Sequence, residues 1–114
     1  MISHRQQFLR SIAQTSDNPM LLEVVRAEGS KLYKPDGSVC IDLISGISVC
    51  NLGHSHPKIV NSIQNQIAEY MHLMVYGEFV LSPQVLLAKK LTSLLPDTFD
   101  NVYFVNSGSE AVEA

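Results

Sequence analysis

Tryptophan is absent from this sequence, cysteine occurs twice, and only 17% of the 114 residues are charged. Each scarcity excludes something. Cys40 and Cys50 are too few and too widely set for a zinc ribbon, and without a secretion-type start no disulfide is expected; both read as small apolar core residues. Lys and Arg number eight against eleven Asp and Glu, for a net charge of −3. Only Lys89 and Lys90 are adjacent, so neither a nucleic-acid footprint nor a polybasic membrane patch is present. No apolar run approaches the roughly 18 residues of a membrane span, and the first ten residues lack the apolar core of a signal peptide. The expected location is the cytoplasm. With 46% hydrophobic residues, the composition is that of a globular segment, large enough for one compact domain at most. Internal repeats and low-complexity tracts are absent.

Residues 1–15 carry a thin apolar set (Ile2, Phe8, Leu9, Ile12) compatible with a helical arm, and Ser16-Asp17-Asn18-Pro19 breaks it. From Leu21 to Leu43 the pattern predicts an antiparallel meander. Its turns fall at Glu28-Gly29-Ser30 and Pro35-Asp36-Gly37-Ser38, and Val39, Ile41 and Leu43 alternate as on a strand with one buried face. Ser45 to Pro57 is loop-like. Apolar residues Ile59, Val60, Ile63, Ile67, Tyr70 and Met71 then recur at helical spacing, predicting an amphipathic helix from Lys58 to about His72, with Pro57 at its start and His56 capping it. A second helix has Ser82 as cap, Pro83 in its first turn, a buried stripe of Leu86, Leu87, Leu91, Leu94 and Leu95, and Pro96 as its stop. Leu73 to Leu81 reads as a loop, although an unusually apolar one. Asn101 to Val105 reads as a buried strand leading into a helix.

The segment from Val102 to Ala111 carries the most chemistry. A strand that turns tightly into a helix leaves the first helical amides without internal partners, at the end where the helix dipole is positive. Such an end binds phosphate. Gly108 lets backbone approach an anion, Ser107 and Ser109 offer hydroxyls, and Ser107 with Glu110 has the form of a capping box. A capped helix with no ligand is the alternative for an isolated Ser-Gly-Ser-Glu; the preceding apolar strand favours the ligand, because α/β folds bind at the carboxyl ends of strands. His54 and His56 in Gly53-His54-Ser55-His56-Pro57 lack the further ligands that a metal site needs, so no metal is expected. His72 reads as structural, near the end of its helix. Tyr76, Glu78 and Phe79 cluster beside Gly77, and Asp42 is expected to face solvent from its strand.

Taken in order, Ile41-Asp42-Leu43-Ile44-Ser45-Gly46-Ile47, Asn51-Leu52-Gly53-His54-Ser55-His56-Pro57-Lys58-Ile59 and Phe104-Val105-Asn106-Ser107-Gly108-Ser109-Glu110-Ala111 resemble three successive signatures of the class III aminotransferases. Acetylornithine, ornithine and 4-aminobutyrate aminotransferases belong to that family. The resemblance runs from about Pro19 to the last residue. It implies an α/β chain, the amino-terminal part of a fold-type I transferase dependent on pyridoxal 5'-phosphate. Residues 1–15 would form an arm, residues 16–75 the amino-terminal part of the small domain (meander plus helix), and residues 76–114 the start of the cofactor-binding large domain. By position, Gly108 and Ser109 would hold the cofactor phosphate, with Ser107 supporting the turn and Glu110 beside it. Ser45, Gly46, Ile47 and Tyr76 would approach the substrate. The resemblance also implies a homodimer acting on amino-acid and 2-oxo-acid substrates such as 2-oxoglutarate. The family's cofactor-bearing lysine has no match among Lys31, Lys34, Lys58, Lys89 and Lys90, so these residues alone are expected to be an inactive fragment. The alternatives are a non-catalytic small protein using the Ser107 to Glu110 turn as an anion site or its apolar faces for association, and a mutase built on the same scaffold.

Overall fold

A computed structural model describes residues 2–74 and 77–114. The chain divides into two compact units, Met1–Glu69 and Tyr70–Ala114, where composition allowed one domain at most. Among the described residues none is fully buried.

The first unit opens with helix α1 (His4–Ser11), capped by Ser3 in a reciprocal capping box with Gln6. The Ser-x-x-Gln spacing at residues 3–6 is the sequence signature of such a box. Glu23 meets His4 Nδ1 at 3.1 Å and Arg5 Nε at 3.8 Å; exposed pairs of this kind contribute little. Strands β1 (Arg26–Glu28), β2 (Lys31–Tyr33) and β3 (Val39–Ile41) form the expected antiparallel meander in the order β1-β2-β3. Leu21 to Val25 lies outside it, apart from one bond from the Val25 amide to the Tyr33 carbonyl. Arg26 pairs with Tyr33 across the sheet and stacks its guanidinium 3.7 Å from the ring centroid, a cation–π contact.

Both turns form for the reasons their residues imply. Gly29 and Gly37 take positive φ, the region where glycine has no Cβ penalty. Asp36 Oδ1 accepts from the Ser38 amide and hydroxyl, and these bonds hold its carboxyl below the usual range. A short left-handed turn, α2 (Ser45–Ser48), follows the meander. Helix α3 (Pro57–Glu69) then begins at the proline. It ends before Tyr70, so His72 lies beyond the helix rather than near its end.

In the second unit, helix α4 (Ser82–Thr92) has Pro83 in its first turn, but Leu81 occupies the cap position and no side chain caps it. The Ser82 hydroxyl is therefore not the cap. The helix stops at Thr92, before Pro96, where the Thr92 and Ser93 hydroxyls bond back to the carbonyls of Lys89 and Lys90; such back-bonding competes with continued helix. Helix α5 (Gly108–Glu113) is capped by Ser107.

Three expectations about burial are corrected. Cys40 and Cys50 are only half-buried. The expected apolar stripes form only within α3 and α4, because Tyr70 and Met71 lie beyond the end of the first and Leu94 and Leu95 beyond the end of the second, and they are left largely uncovered, with Ile63 52% and Leu86 65% exposed. Asn101 to Val105 is not a buried strand, because it pairs with no strand among the described residues, although burial alternates there with Val102 and Phe104 half-covered and their neighbours exposed. A parallel strand exists only through its neighbours' hydrogen bonds, and none of the described residues supplies them.

Candidate functional site

Two local arrangements carry the sequence motifs. In the second unit, the capping box at α5 is complete. The Glu110 amide donates to Ser107 Oγ at 3.2 Å, and the Asn106 and Ser107 amides both donate to Glu110 Oε2 at 2.8 Å. Two donors remain beyond this box. The Gly108 and Ser109 amides have no hydrogen bond among the described residues, as the first positions of a helix dictate. Gly108 and Ser109 are both exposed, and a Cβ added at Gly108 would meet nothing within 4 Å. The Glu110 carboxylate accepts only, and it is already bonded to two amides; it shapes this turn instead of donating to an anion.

In the first unit, Asp42 does not face solvent. Its side chain is 8% exposed, and Oδ2 accepts from His54 Nε2 at 2.6 Å. Oδ1 accepts from the Ile44 and Ser45 amides at 2.9 Å each. These bonds, His54 first, hold the Asp42 carboxyl below its ordinary range against a smaller opposing effect of desolvation. The carboxylate in turn fixes His54 Nε2 as a donor.

Asp42 thereby grips the start of α2, where Ser45, Gly46, Ile47 and Ser48 all have φ between 54° and 64°. A left-handed conformation costs about 1–2 kcal/mol per non-glycine residue, hence roughly 3–6 kcal/mol for the two serines and Ile47. Three backbone bonds close the turn: Ser48 to Ile44, and Val49 and Cys50 to Ser45. At about 0.5–1.5 kcal/mol each, they contribute roughly 1.5–4.5 kcal/mol. They do not comfortably offset the strain, so the turn depends on its clamp.

His54 is itself delivered by a close approach. Its amide and carbonyl exchange bonds of 2.8 and 2.9 Å with Gly29, and Ser55 Oγ donates to the Ala27 carbonyl at 2.9 Å. A Cβ on Gly53 would lie 3.0 Å from Gly29 Cα. That glycine is there for contact with the meander. His56 opens α3 through its carbonyl, which accepts from the Ile59 and Val60 amides. Its ring does not cap, because Nδ1 is buried without a partner among the described residues. Among the described residues no three His, Cys, Asp or Glu side chains are grouped to share a metal.

A cavity of about 190 Å³ lies beside the Asp42–His54 pair, lined also by Ser45, Cys50 and Asn51. Ligand pockets typically measure about 300–1,000 Å³, so this one suits a few waters. A larger hollow of about 450 Å³ between α1 and residues 19–23 shares no residue with either motif. Tyr76 lies outside the described residues. Ser107, Gly108, Ser109 and Glu110 are thus brought together in one unit, and Ser45, Gly46 and Ile47 in the other.

The sequence profile of the aminotransferase class-III family matches residues 12–114. This chain belongs to that family. The acetylornithine aminotransferase of Halalkalibacterium halodurans is 41% identical to this class-III chain over 91 residues, which are 80% of this chain and 23% of that protein. The crystal structure of acetylornithine aminotransferase from Elizabethkingia anophelis superposes with a TM-score of 0.80 at 35% identity, covering 95% of this chain and 27% of that one. Ornithine aminotransferase of Plasmodium yoelii gives 0.78 at 31% identity, covering 94% and 27%. The class-III chain therefore has the α/β fold of the amino-terminal part of a fold-type I transferase, and spans about a quarter of the length of the relatives it matches. No helix among the described residues is long and apolar enough to cross a membrane.

Proposed function

We propose that these residues are the amino-terminal part of a cytoplasmic, homodimeric aminotransferase that uses pyridoxal 5'-phosphate. Its whole polypeptide would move an amino group from an amino acid of the ornithine, acetylornithine or 4-aminobutyrate type to a 2-oxo acid such as 2-oxoglutarate. Membership of the family supports the reading, as do the names of its acetylornithine and ornithine aminotransferase relatives. The observation that carries it is the open pair of amides at Gly108 and Ser109.

These residues fit the cofactor's phosphate. Gly108 and Ser109 would donate their amides and Ser109 its hydroxyl, at the positive end of α5. Ser107 and Glu110 would hold the turn in shape through the capping box. The bound cofactor supplies an electron-accepting ring, and the lysine that moves the proton would come from elsewhere in the polypeptide. Ser45, Gly46, Ile47 and Tyr76 would face the substrate, with the strain of the Ser45–Ser48 turn kept because it shapes that surface. Residues 1–15 would act as an arm, 16–75 as part of the small domain and 76–114 as the start of the large domain. The exposed stripes of α3 and α4 would be covered by the rest of the polypeptide and by the second subunit.

The test is cofactor binding by the full-length protein. Purified with pyridoxal 5'-phosphate, it should show a visible absorbance that borohydride abolishes while fixing the cofactor permanently to the protein, and Ser109→Ala should weaken cofactor affinity about tenfold, the effect of losing a hydrogen bond to a charged group. A full-length protein that shows no such absorbance refutes the reading.

A further inference from the structure

The Ser45–Ser48 turn takes left-handed φ at four consecutive residues, three of them non-glycine, and non-glycine conformations of that kind persist only where the surroundings over-determine them. The fixing contacts lead away from the turn in one direction. Asp42 Oδ1 holds the Ile44 and Ser45 amides at 2.9 Å, Oδ2 is held by His54 at 2.6 Å, and His54 is tied through its backbone to Gly29 on the meander. Remove the His54 ring, and the carboxylate loses the bond that fixes its rotation while keeping its place in the chain.

We propose that Asp42 and His54 are a positioning pair, in which His54 orients the Asp42 carboxylate so that it holds the Ser45–Ser48 turn in the conformation that meets the substrate. The inference rests on the reading that Ser45, Gly46 and Ile47 approach the substrate. It adds two residues that touch neither substrate nor cofactor. A pair that merely stabilised the fold would affect every property of the enzyme together. A positioning pair affects substrate recognition while the cofactor site in the other unit, at Ser107 to Glu110, keeps its affinity.

The experiment uses the full-length holoenzyme with whichever of N-acetylornithine, ornithine and 4-aminobutyrate the wild type turns over in the presence of 2-oxoglutarate. Asp42→Ala and His54→Leu should each raise the donor KM about ten- to hundredfold, the size of effect expected from a displacement of about 1 Å. Cofactor affinity should stay within about twofold and kcat should fall less than KM rises. The Kd for glutarate, read from the visible absorbance, should rise with KM. His54→Gln, whose amide can still donate to Asp42, should return KM most of the way to the wild-type value. Should Asp42→Ala not fold, Asp42→Asn carries the same test, because its amide can still accept from Ile44 and Ser45 while losing the charge that grips His54. Unchanged KM and glutarate Kd in folded variants overturn the proposal. So does a parallel loss of cofactor affinity, kcat and thermal stability that His54→Gln does not rescue. A wild type that never binds the cofactor removes the aminotransferase reading and this inference with it, whereas a wild type active beside unaffected variants removes the inference alone.

Discussion

Gly53→Ala isolates the close approach between the meander and the loop that carries His54. Gly37 provides an internal control, since the two glycines have φ of +80° and +81°. An alanine at either position bears the same left-handed cost, about 1–2 kcal/mol. They differ in surroundings: the new Cβ at Gly37 meets nothing within 4 Å, whereas at Gly53 it meets Gly29 Cα, O and C at 3.0, 3.1 and 3.2 Å. Those are backbone atoms and cannot rotate aside. Relief must stretch the two Gly29–His54 bonds, each worth about 0.5–1.5 kcal/mol, so Gly53→Ala should cost about 1–3 kcal/mol more than Gly37→Ala. In a protein of several units, global unfolding is a poor probe; peptide-resolved amide hydrogen exchange on the full-length protein reports local opening instead. At about 1.4 kcal/mol per factor of ten, protection at the Gly29 and His54 amides should fall roughly five- to hundredfold more in Gly53→Ala than in Gly37→Ala. Equal protection at these two amides in both variants would refute the close-packing argument.

Acid should release the α2 turn. Asp42's carboxyl is lowered below its ordinary value of 3.8, chiefly by His54 and then by the Ser45 amide. The stabilisation it gives is therefore fully present above about 3.8 and is lost as pH falls through the lower folded value. Exchange at Ile44 and Ser45, corrected for the intrinsic rate, should quicken only below 3.8; quickening between pH 5 and 7 would implicate a different group. The 114 residues expressed by themselves should bind a hydrophobic dye, aggregate, and fail to transaminate with added pyridoxal 5'-phosphate. The exposed stripes of α3 and α4 and the segment at 101–105, unpaired among the described residues, set the first two expectations, and the missing lysine sets the third. Turnover by this purified polypeptide would sink the assignment of that lysine to another part of the protein.

Local chemistry was legible in the order of residues. Gly29, Gly37 and Pro35 announce turns because only certain residues tolerate those dihedrals, and the antiparallel meander follows. Ser107 and Glu110 announce a capping box, and the structure forms it with all its bonds. The family, too, was readable in three ordered motifs and is confirmed by the match over residues 12–114. Ser82 shows where such reading fails. A serine before a proline resembles a cap, yet the chain entered the helix one residue earlier and left its hydroxyl out of the cap.

What only tertiary structure decided is the fate of groups whose partners are distant in sequence. Asp42 alternates with apolar neighbours and so reads as a surface residue, but His54, twelve positions on, arrives beside it because Gly53 lets that loop touch Gly29. The same contact makes the left-handed turn possible, and no local propensity favours left-handed φ at Ile47. Burial is likewise a property of what lies opposite. The spacing of Ile59, Ile63 and Ile67 specifies an apolar face, and hydrophobic spacing cannot specify whether that face is covered, because covering requires a second surface that the helix itself does not encode.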